Sequence, residues 1–314
     1  MIGVNLAVII PTHNPHADRF ARTLAGLRAQ TLPRPTWELV IVDNASADPA
    51  FFLALDLSWH PRVRVLREPQ LGLTAARQCG LRATDAEFAV LVDDDNVLAP
   101  AYLENVVALF AAHPRVGLAG GKLVPHFASE PPIWASEFFP LLALRDHGSS
   151  EIVSSGLHPA GALHNEYPAY APVGAGMAMR RAAWQAWLAA RANAPGALSD
   201  RRGDALTSSG DNDIVLCAMQ SGWEVGYFPQ LTLTHLIPAG RLDADYLARL
   251  NRGIQKSWVQ VLAQHDACPW PPLSPTGVAL RKSKAWLVHH PWTSPAARVR
   301  YHGACGHIEG RLGR

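Results

Sequence analysis

The chain has 314 residues, of which 48% are hydrophobic and 17% are charged, and its formal net charge is +2 at pH 7. This composition supports a substantial core in one large domain or two closely joined ones, and the absence of a long basic stripe disfavours nucleic acid as a partner. The four cysteines form no C-x-x-C pair, and no apolar run reaches the roughly 18 residues of a membrane span. We therefore expect a reduced, cytoplasmic enzyme.

Short β-branched runs alternate with helical segments through the first third of the chain. Strands are predicted over LAVIIP, WELVIVD, VRVLREP, FAVLVDDD and VGLAGGKLV, with helices near residues 18–30 and over TAARQCGLRA and AYLENVVALFAAH. Such alternation predicts an α/β fold, in which a mostly parallel, Rossmann-like sheet has helices on both faces. Ligands bind such sheets at the carboxyl ends of the strands, where Pro11, Thr12, Asp43 and Asp93 fall.

The pattern changes at about residue 126. Residues 126–172 are rich in Pro, His, Gly and Trp, and their weak periodicity predicts long loops that shape a substrate pocket. A strand and a helix are predicted over PVGAGMAMRRAAWQAWLAAR, and a helix followed by strands over SSGDNDIVLCAMQSGWEVGYFPQLTLTHLIP. Another helix is predicted over RLDADYLARLNRGIQKSWVQVLAQ, and the last 50 residues, which contain six prolines, predict an appended tail.

Three adjacent carboxylates, Asp93, Asp94 and Asp95, end the apolar run VLVDDDN. Like charges repel one another and lose hydration at such a position unless positive charge lies beside them. In extended backbone, Asp93 and Asp95 point the same way and could share one cation, for which Mg²⁺ or Mn²⁺ is the usual choice. The alternative is a solvated acidic turn, and the position at the ligand-binding edge favours the metal.

The turn after the first predicted strand argues against two common nucleotide sites. It reads VIIPTHN, without the G-x-G-x-x-G of dinucleotide-binding proteins or a Walker A sequence. Asp43 closes the next strand, ELVIVDN. A carboxylate there can accept a hydrogen bond from a base or ribose, or it can form an Asx turn that caps a helix. The residues leave both roles open.

Six segments, in this order, resemble family-2 glycosyltransferases of the GT-A fold. They are VIIPTHN, LVIVDNASAD, GLTAARQCGL, VLVDDDN, PVGAGMAMRR and SGDNDIVLCAMQSGWEVGYFPQLTLTH, and they cover residues 5 to about 240. The resemblance implies a nucleotide-sugar-binding half over residues 1–125, and an acceptor-binding and catalytic half of the same domain over residues 126–240. Residues 241–314 would then form a C-terminal helix followed by a Pro/Trp/basic tail.

The resemblance also implies an activity and its partners. An inverting enzyme of this family moves a sugar from a nucleoside-diphosphate sugar, here expected to be a UDP-sugar, to a hydroxyl of a saccharide or lipid-linked acceptor. Two further interpretations stay open. A sugar-phosphate nucleotidyltransferase would need a Gly-rich basic loop, and PTHNPHADR is not one. A non-catalytic sugar-binding module would not need candidates for both metal and base.

Individual roles follow from the same resemblance. The residues implied to bind the nucleotide sugar are Pro11, Thr12, Asn14, Asp43, Gly72, Arg77, Asp93 and Asp94. Of these, Asp43 would hydrogen-bond the base, and Arg77 would face the nucleotide from its helix. The cation, Mn²⁺ or Mg²⁺, would be held by Asp95, Asp93 and His235, which follows the predicted strand LTLT.

Two aspartates in SGDNDIVLCAMQSG compete for the role of catalytic base. The family carries a glycine eleven residues after its base, and Gly222 stands in that register with Asp211, whereas Gly210 replaces the usual Glu. Asp213 is the other candidate, but positions i and i+2 of a helix face different sides, so one hydroxyl cannot meet both. Both acids also suit a helix N-terminus capped by Ser209. Asp211 is the predicted base.

The tail over residues 265–314 combines aromatic and basic side chains. It holds Trp270, Trp286 and Trp292 beside Arg281, Lys282, Lys284, Arg298 and Arg300. This mixture suits weak peripheral contact with anionic lipid at the inner face of a membrane. The alternative is packing against the catalytic domain or a second subunit of a homo-oligomer, since the prolines are expected to prevent a long amphipathic helix.

Overall fold

The computed structural model describes residues 5–154, 167–192 and 209–313, so residues 155–166 of the predicted long loop lie outside the described residues. The strands are β1 (Leu6–Thr12), β2 (Trp37–Asp43), β3 (Val63–Arg67), β4 (Phe88–Leu91), β5 (Asn96–Leu98), β6 (Val116–Gly120), β7 (Leu123–Phe127), β8 (Ile152–Val153), β9 (Ala178–Arg180), β10 (Glu224–Tyr227) and β11 (Leu233–Ile237). The helices are α1 (Ala17–Arg28), α2 (Ala50–Leu53), α3 (Leu73–Arg82), α4 (Tyr102–Ala112), α5 (Arg181–Ala192), α6 (Gly210–Gln220), α7 (Ala244–Gln264), α8 (Pro275–His289) and α9 (Pro295–Gly310). Short 3₁₀ segments cover Arg34–Thr36, Ile133–Leu142 and Ala239–Leu242.

Two sheets organise these elements. The larger has eight strands in the order β3-β2-β1-β4-β9-β6-β10-β8, in which β9 and β8 run antiparallel to their neighbours and the other strands are parallel. The smaller has the order β5-β11-β7. The predicted single strand over VGLAGGKLV is therefore wrong, because β6 and β7 belong to different sheets. The chain passes between them at Gly121, where a Cβ atom would lie 1.9 Å from the Leu231 carbonyl oxygen.

Helices cover both faces of the larger sheet, as predicted. Because side chains of a strand alternate, Val8 and Ile10 of β1 pack on the side of α1 and α4, whereas Ile9 packs on the side of α3, α5 and α6. Every residue of β1 is buried, which is expected of a central strand between two helical layers. The predicted fold class, a mostly parallel α/β sheet with helices on both faces, is confirmed.

The strand register brings chemically useful residues to one edge. β1 lies between β2 and β4, with Thr12 opposite Asp43 and Ile9 opposite Leu91. The segments after β1, β2 and β4 therefore leave the sheet side by side. β11 approaches the same place from the smaller sheet, because His235 pairs with Asn96, which directly follows the aspartates.

The tail contains two regular helices, α8 and α9, although it is rich in proline. Pro275 and Pro295 each occupy the first helical position, where the missing N–H would have had no intrahelical partner. Ser274 and Ser294 cap these helices by accepting hydrogen bonds from backbone N–H groups. α9 then packs against α7 and the 3₁₀ segment Ile133–Leu142.

No helix among the described residues has both the length and the apolar character needed to cross a membrane. The longest of them is α7, with 21 residues, and one side of it is polar.

Candidate active site

A cavity of about 290 Å³ lies at the carboxyl ends of β1 and β4. The predicted site residues that line it are Pro11, Thr12, Arg77, Asp93, Asp94, Asp95, Asp211 and His235. The predicted residues that are not among its lining are Asn14, Asp43, Gly72 and Asp213. Residues from both predicted halves of the domain therefore meet in one cavity.

The three adjacent aspartates occupy a turn rather than a strand end. β4 stops at Leu91, and the Asn96 N–H donates to the Asp93 carbonyl oxygen at 3.0 Å, which closes the turn. The expectation that Asp93 and Asp95 point the same way because the backbone is extended is therefore wrong. The turn instead gives the three carboxylates separate surroundings.

Asp94 faces the end of β1. The Thr12 hydroxyl donates a hydrogen bond to Asp94 Oδ2. Burial, and then the neighbouring charge of Asp95, raise the pKa of Asp94 to about 6, although the Thr12 hydrogen bond opposes the shift. Ionisation of Asp94 is thus less favourable in the folded protein than in the unfolded chain.

Asp95 and His235 form an arrangement that could hold a metal ion. Both are almost fully buried, and Asp95 Oδ1 lies 3.5 Å from His235 Nε2. His235 Nδ1 lies 3.0 Å from the Leu142 carbonyl oxygen, which can only accept, so Nδ1 carries the proton. In the neutral ring this leaves the lone pair of Nε2 directed toward Asp95. One carboxylate and one imidazole, with Asp93 nearby on the same turn, suit Mn²⁺ or Mg²⁺.

Arg77 lies beside Gly174 and approaches the aspartate turn. Its Nη2 is 3.9 Å from Asp93 Oδ1, and its side chain is buried. Gly174 leaves the room for it, because a Cβ atom there would lie 2.1 Å from Arg77 Nη2. The segment PVGAGMAMRR contains Gly174, but sequence reasoning assigned it no role.

Asp211 reaches the cavity from the first turn of α6. Its Oδ2 accepts the Gly174 N–H at 3.2 Å, and its Oδ1 accepts the N–H of Asn212 at 2.9 Å. Each carboxylate oxygen keeps a second lone pair. Asp211 can therefore accept a further proton or hydrogen bond from a molecule in the cavity.

Asp213, two positions further along the helix, points into the protein. Its Oδ2 accepts the indole N–H of Trp187 at 2.7 Å, and its Oδ1 lies 2.8 Å from His265 Nε2. Arg191 Nε is 3.4 Å from the same carboxylate. These contacts fix Asp213 between α5, α6 and α7, away from the cavity.

Asp213, Cys217 and His265 also form a buried group that could hold a metal ion. Its surroundings favour hydrogen bonding instead. Burial raises the pKa of the Cys217 thiol to about 12, so the thiolate that would bind a metal is disfavoured. The Arg191 cation already lies beside the Asp213 carboxylate. The pair of Asp95 and His235 is the better candidate for a divalent cation.

Asn14, Asp43 and Gly72 shape the loops beside the cavity. Asp43 is buried, accepts the Ser46 N–H at 2.9 Å, and pairs with Arg67 at 2.6 Å. Asn14 has a left-handed backbone with φ of 50°. The Gly72 N–H donates at 2.7 Å to the side chain of Asn44, which does line the cavity. Direct contact of these three residues with a nucleotide stays a prediction.

Arg241 is the main cavity residue that the sequence reasoning missed. Its Nη2 lies 3.4 Å from Asp95 Oδ2. Burial opposes its charge, but nearby groups, with Asp95 the strongest, raise the pKa of Arg241 above its ordinary value. The stretch HLIPAGR, in which Arg241 follows His235 by six residues, is the signal that could have revealed it. The 3₁₀ segment Ile133–Leu142 was missed too, and it contributes Leu141 and Leu142 to the lining.

Comparison with known proteins connects this cavity to a family. A family model described as Glycosyl transferase family 2 matches residues 7–186. Validoxylamine A glucosyltransferase of Streptomyces hygroscopicus subsp. jinggangensis is 30% identical over 108 residues, which are 34% of this chain and 25% of that protein. The matched segment spans only 24% to 39% of the length of this and five other curated relatives.

Solved structures show the same fold at low identity. The mannosyltransferase PcManGT from Pyrobaculum calidifontis, in complex with GDP-Man and Mn²⁺, has a TM-score of 0.56 and 20% identity, covering 96% of this chain and 73% of that chain. S. aureus TarS 1-349 in complex with UDP has a TM-score of 0.51 and 14% identity, covering 97% of this chain and 90% of that chain. At these sequence identities, the similarity shows a shared fold and nothing further.

The raised pKa of Asp94 gives a stability prediction. Because its pKa in the folded protein, about 6, exceeds the ordinary value, the folded state holds the proton more tightly than the unfolded state. Ionised Asp94 therefore destabilises the metal-free protein, by up to about 3 kcal/mol at pH 8 and by less as the pH falls below 6. We expect Asp94→Asn to raise the melting temperature in EDTA at pH 8, with a smaller gain at pH 5.

Differential scanning fluorimetry at both pH values measures this effect. Asp85→Asn is the matched control, because it removes a carboxylate that is fully exposed. A lower melting temperature for Asp94→Asn at pH 8 would mean that the Thr12 hydrogen bond outweighs the burial of charge.

Proposed function

Because the chain belongs to glycosyl transferase family 2, we propose that it transfers a sugar from a nucleoside-diphosphate sugar to an acceptor hydroxyl with inversion. One observation carries this proposal. A single cavity contains a carboxylate–imidazole pair suited to a divalent cation and a separate carboxylate, Asp211, suited to a base. A non-catalytic sugar-binding module would need neither, and a nucleotidyltransferase would need basic groups after β1, where the sequence reads HNPH.

The donor is proposed to bind across the ends of β1, β2 and β4, with residues 1–125 as the donor half of the domain. Pro11, Thr12 and Asn44 border this part of the cavity, beside the aspartate turn. The bound GDP-Man and UDP of the two structural neighbours support a nucleotide-sugar donor. We expect a UDP-sugar, and a comparison of UDP with GDP binding distinguishes the bases.

The cation is proposed to be Mn²⁺ or Mg²⁺, held by Asp95, His235 and Asp93. The Mn²⁺ bound to one structural neighbour supports this choice. When bound, such an ion stabilises the negative charge that develops on a departing diphosphate. The Leu142 carbonyl, by holding the proton on His235 Nδ1, keeps Nε2 available for the ion.

Asp211 is proposed to take the proton of the attacking acceptor hydroxyl. The hydroxyl becomes more acidic as its bond to the anomeric carbon forms, so a carboxylate of modest basicity suffices. The backbone N–H groups of Gly174 and Asn212 hold the Asp211 carboxylate in place. Residues 126–240, which include Asp211 and the wall formed by Leu141 and Leu142, are proposed as the acceptor half. The acceptor class, a saccharide or lipid-linked saccharide, is part of the proposal.

The cation assignment predicts loss of metal-dependent binding when either buried ligand is removed. Asp95→Ala and His235→Ala should each abolish the Mn²⁺-dependent part of nucleoside-diphosphate affinity, because each supplies a ligand that the other residues cannot replace. Isothermal titration calorimetry with UDP and with GDP, each with Mn²⁺ or with EDTA, measures that part. His126→Ala serves as a control that removes an imidazole outside the cavity lining. If the Mn²⁺ dependence of binding is unchanged in both variants, Asp95 and His235 do not hold the cation.

The two aspartates of α6 should respond differently to the same substitution. Asp211→Asn should lower turnover by roughly 10² or more with donor affinity and melting temperature retained, since it removes a proton acceptor. Asp213→Asn should lower the free energy of unfolding by about 3 kcal/mol, because it leaves the buried Arg191 and His265 without their carboxylate. Turnover and chemical denaturation of both variants check this. An active, stable Asp211→Asn enzyme would mean that another group is the base.

The tail is proposed to make weak contact with an anionic lipid surface through α8. Only Ala285 of this helix is buried, and Leu280, Leu287 and Val288 are 72%, 62% and 60% exposed. α8 contains no acidic residue, and among the described residues no carboxylate pairs with Arg281 or Lys284. Exposed apolar and cationic groups on one helix suit the headgroup layer.

The tryptophans of the tail divide between the two expected roles. Trp286 and Trp292 are about half exposed, with ring centroids 4.2 Å apart, at the end of α8. Trp270 instead packs on the body of the protein, with its ring 4.4 Å from that of His307. Membrane contact is therefore proposed for α8 and Trp292, and Trp270 is left out.

Co-sedimentation with vesicles at low ionic strength tests the lipid surface. The wild-type protein should pellet with anionic vesicles, stay in the supernatant with neutral ones, and be released by salt. Leu287→Gln should weaken pelleting, whereas Leu53→Gln, an exposed leucine on α2, should not. Truncation is a poorer test, because α9 packs against α7. If equal fractions of the protein stay in the supernatant with both vesicle types, α8 does not bind anionic lipid.

A further inference from the structure

Arg241 occupies an unusual position for a cation in a site built for a metal ion. It lies on the 3₁₀ segment Ala239–Leu242, directly after the strand β11 that carries His235. Its guanidinium contacts Asp95 Oδ2 at 3.4 Å, while Asp95 Oδ1 lies 3.5 Å from His235 Nε2. One buried carboxylate therefore has an arginine on one oxygen and the candidate metal position on the other.

The charges that line the cavity do not balance. Among the described residues, the lining contains four carboxylates, those of Asp93, Asp94, Asp95 and Asp211, and two guanidinium groups, those of Arg77 and Arg241. A third guanidinium, that of Arg145, lies outside the lining but within electrostatic reach of Asp211. Arg77 lies nearest Asp93, at 3.9 Å. Arg241 is thus the lining cation that compensates Asp95, and its side chain is only 24% exposed, so water screens this interaction weakly.

A guanidinium cannot bind a metal ion, because it has five N–H donors and no lone pair to offer. A divalent ion between Asp95 and His235 would lie a few ångströms from the Arg241 charge and would be repelled by it. The same guanidinium suits a phosphate well, since two of its parallel N–H groups match two phosphate oxygens. Its contact with Asp95 uses only part of this donor set.

We propose that Arg241 neutralises Asp95 while the site is empty, opposes binding of the cation alone, and binds the diphosphate of the donor once the cation is present. Cation and donor then favour each other, because the diphosphate offers Arg241 a new partner when the metal takes over Asp95. Binding of either one changes the charge around the other. This inference rests on the proposed function, because it takes a nucleoside diphosphate and a divalent cation as ligands of the cavity.

Opposite changes in two affinities are the signature of this role. Arg241→Gln should raise the affinity of the donor-free protein for Mn²⁺ by about tenfold, since it removes a repelling charge, and should lower the affinity for UDP or GDP at saturating Mn²⁺ by about tenfold or more. Arg241→Lys keeps the positive charge but loses the planar guanidinium, whose parallel N–H groups match two phosphate oxygens. It should keep the Mn²⁺ affinity near that of the wild type while still weakening diphosphate binding.

Calorimetric titration of Mn²⁺, and then of UDP and GDP, into the full-length protein and its variants measures both affinities. Arg249→Gln is the matched control, since it removes an exposed arginine of α7 that does not line the cavity. If both affinities fall together in Arg241→Gln, the residue only supports the local structure, and if neither changes, it has no part in binding. A wild-type protein that binds neither UDP nor GDP would instead overturn the proposed function, whatever Mn²⁺ does in the variants.

Discussion

The site depends on the presence of three neighbouring carboxylates on one turn, of which Asp95 is buried and Asp93 and Asp94 are partly buried. The free-energy cost of placing these charges together is clearest at Asp94, because burial and the charge of Asp95 raise its pKa to about 6. Each group that approaches the turn relieves part of that cost: the Thr12 hydroxyl reaches Asp94, Arg77 approaches Asp93, and Arg241 approaches Asp95. Among the described residues the compensation stops short of balance, and the remaining negative charge is what the proposed cation would neutralise. A cluster fully neutralised by the protein would be more stable and would have no use for a metal ion.

The topology of the sheets explains why this charge can be concentrated without disrupting the core. The strands β1 and β4 are buried along their whole lengths, and their polar residues begin where the apolar runs end. The smaller sheet then supplies the counterpart, because β11 pairs with β5 immediately after the aspartate turn and so fixes His235 opposite Asp95. The antiparallel strand β9 also brings distant residues together, because the loop before it places Gly174 between Arg77 and Asp211. Residues of the two parts of the chain thus meet because the antiparallel strand β9 begins beside the carboxyl end of β4.

The sequence predicts those parts of the fold that depend on local patterns. The alternation of apolar runs and helical segments is enough for the two-faced sheet, and the abrupt end of an apolar run locates the aspartates. The turn that separates Asp93 from Asp95 has no such pattern, because it is closed by a backbone contact with Asn96. Arg241 was missed for a related reason: a lone arginine in a short 3₁₀ segment has no periodicity, and its place six residues after His235 was the one sequence signal for its contact with Asp95. The two tail helices were not predicted because their outcome depends on where the prolines stand: Pro275 and Pro295 begin helices that prolines elsewhere would have broken.

The two acidic residues of α6 illustrate how one helical turn can serve chemistry and stability together. Asp211 and Asp213 have the same charge and almost the same distance from the helix N-terminus, so the favourable helix dipole does not distinguish them. Their directions do, because the rotation between positions i and i+2 sends one toward the cavity and the other toward Trp187 and His265. The inward carboxylate ties α6 to α5 and α7, and it thereby fixes the turn from which the outward carboxylate projects. The proposed base, Asp211, would have to meet a hydroxyl within hydrogen-bonding distance, which requires rigid support, and Asp213 supplies that support from two residues away.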